Sequence, residues 1–120
     1  MTTGDLVLLF RAGSGTLAAL PARHVVETMR PLPCRPLSGV PDLVRGVAVL
    51  RGRPTPVIDA AALLGSSDGS SARRWISLDV GGRAVALAVT DVIGLRTIPR
   101  PASARDGVAR GGRRDLGARR

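Results

Sequence analysis

The stretch that most constrains this chain runs over residues 39–65, GVPDLVRGVAVLRGRPTPVIDAAALLG. Its centre reads as two short apolar strands, residues 44–51 and 55–59, folded back on each other across Arg51-Gly52-Arg53. Val44, Val47, Val49 and Leu50 supply β-branched and aliphatic bulk before the turn, and Val57 and Ile58 supply it after. Gly52 is the residue that takes a positive φ without a Cβ penalty. Pro54 and Pro56 have no N–H to give a ladder, so the second strand is expected at a sheet edge or bulged. Asp59 is placed to cap a helical turn that Gly65 ends.

The remaining segments are shorter and are arranged around this hairpin. Residues 6–11 form a continuous apolar run, read as a strand buried on both faces, and residues 16–20 return from the turn at 12–15 as a second strand. Pro21 opens one helical turn that runs into a strand containing Val25, Val26 and Thr28. Prolines 31, 33, 36 and 41 force an extended or looped connection. After a flexible loop at 66–72, residues 74–80 and 83–89 read as a second hairpin around Gly81-Gly82. Ile76 and Leu78 alternate there with Ser77 and Asp79, the pattern of a strand with one wet face. Residues 91–98 give a further strand, with a bulge expected at Gly94. Regular short strands and close-spaced turns predict an all-β fold, a sandwich or small barrels. Beyond residue 100 the large aliphatics are only Val108 and Leu116. The expectation is a domain over 5–99 and a disordered Arg/Gly-rich tail over 100–120, because such a tail buries too little to offset its ordering entropy.

Composition limits the chemistry. One Phe, one Trp and no Tyr leave a core built from Val, Leu, Ile and Ala. His24 is the only histidine and Cys34 the only thiol, ten residues apart with prolines between, so they read as a surface imidazole and a small apolar side chain rather than a catalytic dyad. No clustered Cys/His spacing predicts a metal site, and Gly13-Ser14-Gly15 lacks the rest of a phosphate-binding motif. No catalytic residue, cofactor or small-molecule substrate is expected. The lone cysteine fits a reducing compartment, and the apolar runs are too short for a signal peptide or a membrane span, so a cytoplasmic chain is expected.

The net charge of +9 raises nucleic-acid binding as an alternative. All 18 basic residues are arginine, and they are unevenly placed. Residues 1–100 hold 12 Arg against 7 acids; residues 101–120 hold 6 against 2. The tail is suited to phosphate contacts, but one Phe and one Trp provide no array of stacking platforms.

The central stretch closely resembles the signature of CheW-type coupling proteins of bacterial chemotaxis. The residues that carry the resemblance are Val40-Pro41, Leu43-Val44-Arg45-Gly46-Val47, Val49-Leu50-Arg51-Gly52 and Pro56-Val57-Ile58-Asp59, followed by Leu64-Gly65. Residues 6–10, Val25-Val26-Glu27 and residues 86–95 extend it, with Thr90 standing where the family usually has Asp. The resemblance implies two small SH3-like five-stranded β-barrel lobes, the second incomplete because residues 101–120 replace the family's closing strands; a non-functional remnant is the reading that would follow from a lobe that does not fold. It also implies a non-catalytic adaptor that joins the cytoplasmic tip of a chemoreceptor to the regulatory domain of a CheA-type histidine kinase. On that reading Arg51, Glu27 and Val25 are expected at the receptor contact, while Gly46, Gly52, Pro56 and Asp59 serve the architecture.

Overall fold

A computed structural model of the chain describes residues 4–66 and 72–99. The loop expected at 66–72 and the tail expected at 100–120 therefore lie largely or wholly outside the described residues. The fold is all-β: strands β1 (Gly4–Ala12), β2 (Thr16–Pro21), β3 (Val25–Met29), β4 (Val44–Leu50), β5 (Arg53–Asp59), β6 (Arg74–Val80), β7 (Arg83–Val89) and β8 (Asp91–Pro99). A 3-10 turn (Ala22–His24) leads into β3, and a single-turn helix α1 (Ala60–Leu63) follows β5. Asp59 caps α1, its Oδ1 accepting from the N–H groups of Ala61 at 3.0 Å and Ala62 at 3.4 Å.

The strands form two sheets, β2-β1-β8 and β3-β6-β7-β5-β4. The second hairpin has the bounds its sequence indicates, and β8 carries its irregularity where Leu9 pairs with Gly94 and Phe10 with Val92, leaving Ile93 as the extra residue. The first hairpin differs from expectation. β5 is not an edge strand, because it pairs antiparallel with β4 and parallel with β7. The prolines are tolerated because the β7 ladder covers only Val57, Ile58 and Asp59, so Pro54 and Pro56 precede it. The bulge falls on β4, where Val44 pairs with Ile58 and Gly46 with Val57, and Arg45 is the extra residue.

The five-stranded sheet is buried on both faces. One face meets the three-stranded sheet through Leu8, Phe10, Ile76, Leu78, Leu87 and Val89. The other curls around Ala48, Leu50, Val57, Trp75, Ala86 and Ala88, with Met29 and Cys34 packed against them. Residues along β7 divide by size between the two: Leu87 and Val89 point to the broad interface, whereas Ala86 and Ala88 leave room for Trp75. Two expectations are corrected by this arrangement. β6 has no wet face along its middle, since Ser77, paired with Ala86, is only 7% exposed. The core is not built from Val, Leu, Ile and Ala alone either, because Phe10 belongs to one cluster and Trp75 to the other.

Neither sheet closes through a continuous ladder among the described residues. The five-stranded sheet is instead drawn together by the proline-rich strap that follows β3. Arg35 exchanges two backbone hydrogen bonds with Val47 of β4, at 2.8 and 2.9 Å, so one run of chain pairs with β6 at its start and with β4 at its end. Gly46 makes this possible. Its φ is +149°, and a Cβ there would collide with the carbonyl oxygen of Arg35.

The three-stranded sheet is less complete. Leu6, Leu8, Phe10 and Ala12 share one face of β1, and cover begins only at Leu8. Leu6 is 51% exposed, and Leu95, paired with Leu8, is 54% exposed. The expectation of a first strand buried on both faces holds at Val7 and Leu8, adjacent residues that point opposite ways and are both buried, and fails at Leu6.

Candidate functional site

The β4–β5 turn is the most specific local structure in the chain. Leu50 pairs with Arg53, which leaves a two-residue loop of Arg51 and Gly52. Both have positive φ, +52° and +76°, as the mirror-image hairpin turn that matches strand twist requires. Arg51 is the only non-glycine residue with positive φ among the described residues. An L-residue in this region costs about 1–2 kcal/mol relative to its relaxed conformation. That cost falls on a side chain that projects outward, 67% exposed.

Arg51 is met by Glu27. The Nε and Nη2 groups of Arg51 both donate to Oε2 of Glu27, at 3.1 and 3.0 Å. β3 and β4 are opposite edges of the five-stranded sheet, so this contact spans the open side at the rim of the curled lobe. Glu27 reaches the rim because of an irregularity in β3. Val25 pairs with Leu78, yet Glu27 pairs with Ser77, so Val26 is extra and the two named residues face opposite ways. Val25 packs on the interface between the sheets, while Glu27 shares the side of Met29, which packs against the Trp75 cluster. Of the three residues expected at a receptor contact, the structure brings Arg51 and Glu27 together and turns Val25 away.

The residues expected to serve architecture surround the same hairpin. Gly46 admits the strap and Gly52 completes the turn. Pro56 lies opposite Val47 on β5. Asp59 uses its second carboxylate oxygen for the bulge residue Arg45, whose Nη2 donates at 3.2 Å. Thr90, standing where the resemblance led one to expect Asp, ties the two sheets: its N–H donates to Arg11 at 2.9 Å and its hydroxyl to Gly13 at 3.0 Å.

The ion pair, the strained turn and the strap contact are features that residue-by-residue reading misses. A signal for the turn is present, since a two-residue loop between paired strands demands positive φ at both positions. No signal in the sequence indicates that residues 27 and 51 meet, because that depends on how the sheet curls.

Cys34 is half-buried against the Trp75 cluster, and His24 ends the 3-10 turn. No group of three or more His, Cys, Asp or Glu side chains among the described residues is arranged to hold a metal. No helix among them is long and apolar enough to cross a membrane. What the hairpin offers is a charged, rigid turn beside an apolar strap, a surface suited to recognition.

The comparisons with known proteins agree with this geometry. No curated protein sequence matches the chain. Among solved structures, the scaffolding protein TtCheW from Thermoanaerobacter tengcongensis is similar, with a TM-score of 0.72 at 22% identity over 80% of this chain. The match spans 66% of that protein's length, just under two thirds. The family model for the CheW-like domain matches residues 6–110. The chain thus belongs to the CheW-like domain family, a non-catalytic family.

Proposed function

We propose that this domain is an adaptor of bacterial chemotaxis signalling, coupling the cytoplasmic tip of a chemoreceptor to the regulatory domain of a CheA-type histidine kinase. Family membership supports the class of activity. The observation that carries the site is Arg51, an exposed arginine kept in a backbone conformation that glycine adopts freely. An arginine retained there despite the strain is understandable if its guanidinium is used. Glu27 holds that guanidinium in one orientation through a single carboxylate oxygen, which leaves Nη1 and the other oxygen without a protein partner among the described residues. The pair is therefore a preorganised charged anchor of the kind that dominates recognition surfaces. Val25 contributes by setting the start of β3 against the inter-sheet core.

Such an adaptor works through two interfaces on one framework, with no bond made or broken. It acts at the cytoplasmic side of receptor arrays, in the region of residues 5–99, and the arginine-rich segment from 100 onward is accessory to it. The test is co-precipitation of the full chain with a receptor cytoplasmic fragment and, separately, with the kinase. Arg51→Ala is expected to reduce receptor capture at least fivefold and to leave kinase capture within twofold, a difference of about 1 kcal/mol. A folded wild-type protein that captures neither partner overturns the proposal.

A further inference from the structure

The strap and the β4–β5 hairpin enclose an open groove of about 620 Å³, lined by Pro33, Cys34, Arg35, Val47, Val49 and Pro54 among others. Its size is that of an ordinary ligand or peptide site. Its floor is a strand edge. Val47 directs its N–H and C=O to Arg35, away from β5, and Val49, two residues on, directs its own the same way. Continuing the antiparallel register from Arg35–Val47 sets Pro33 opposite Val49, and proline has no N–H to extend the ladder. The strap pairing therefore stops after one bridge. The N–H and C=O of Val49 have no hydrogen-bond partner among the described residues, and its side chain is 65% exposed. An unpaired donor and acceptor beside apolar walls form a template for an added strand.

Charge selects what can be added. Arg35 lines the groove, and Arg53 immediately precedes the lining residue Pro54 on β5. Of the nearby acids, Glu27 is already paired with Arg51, and Asp59 is paired with Arg45. The chain's own segment after residue 100, with 6 arginines against 2 aspartates, is repelled by this rim, and so is the same edge of a second copy. We infer that the groove is a strand-acceptor site for an extended polypeptide segment of a partner protein, one that alternates apolar residues with carboxylates. Its backbone pairs with Val49, its apolar side chains enter between Pro33 and Pro54, and its carboxylates meet Arg35 and Arg53. The inference rests on the groove alone and stands apart from the coupling reading.

The experiment uses the full chain and a fluorescein-labelled, acetylated seven-residue peptide of alternating glutamate and valine. A peptide with lysine for glutamate is the control. The acidic peptide is expected to raise fluorescence anisotropy with a Kd on the order of tens of micromolar, weakening steeply with salt, and the basic one to give no signal. Binding should slow exchange of the Val49 amide. Val49→Pro removes an N–H that no strand uses in the free protein, so the domain should keep its melting transition while the peptide affinity falls about tenfold or more. Arg35→Glu should lower the affinity for the acidic peptide and raise it for the basic one. No binding by the wild-type protein at millimolar peptide, or binding without protection of the Val49 amide, overturns the inference. So does equal binding of the acidic and basic peptides.

Discussion

The two sheets of this domain are held in different ways. The five-stranded sheet is buried on both faces, has an aromatic side chain at the centre of its own cluster, and is drawn shut by a strap and an ion pair. The three-stranded sheet is covered only in part, from Leu8 onward on the face that meets the larger sheet and at Val7 on the other, while Leu6 and Leu95 at its far end lie open to solvent. Shared packing explains the asymmetry. Ile76 and Leu78 of β6 and Leu87 and Val89 of β7 face the three-stranded sheet, so the five-stranded lobe lends half its surface to its neighbour. Recognition features follow the same division: the strained turn, the ion pair and the groove are all on the five-stranded lobe, where the backbone is fixed from both sides.

Substitutions can test how sharp this contrast is. The largest effect is expected at Trp75, 3% exposed within the curled lobe. Trp75→Ala should cost about 3–5 kcal/mol in urea denaturation, followed by circular dichroism. Leu95→Ala, at the open end of the other sheet, should cost less than about 0.5 kcal/mol. Similar losses at both positions would erase the distinction. Gly46→Ala should come next, at about 1–3 kcal/mol, because the new Cβ meets the Arg35 carbonyl and the φ of +149° becomes strained. Since the strap also lays Cys34 against the Trp75 cluster, this variant should shift the emission of the single tryptophan to the red. An unchanged spectrum would mean that the strap does not shield that cluster. Asp59→Ala removes the cap of α1 and the partner of Arg45, and a loss of about 1 kcal/mol is expected by thermal denaturation.

Much of this arrangement is legible in the sequence, and the rest fails for identifiable reasons. The β6–β7 hairpin is set by β-branched and aliphatic runs ending at Gly81-Gly82, a local pattern that needs no distant information. Capping by Asp59 is equally local. The interior position of β5 is not, because its parallel partner β7 lies beyond α1 and β6, and a proline rule applied to one hairpin cannot see it. Ser77 reads as a solvent-facing residue until Trp75 and the alanines of β7 are placed around it. The same holds for the site. Arg51 and Glu27 are each recognisable from the family signature, but a displaced register in β3 decides that Glu27 faces the turn and Val25 does not.

The central claim is that Arg51 is kept at its turn for recognition rather than for stability. The most direct measurement is on Arg51→Gly, comparing its denaturation midpoint with its capture of a receptor cytoplasmic fragment. Glycine relieves the positive φ, while the exposed ion pair it removes is worth about 0–1 kcal/mol. The account predicts stability within about 0.5 kcal/mol of the parent, together with a loss of receptor capture of at least fivefold. A variant that is equally stable and captures the receptor as well as the parent would contradict it.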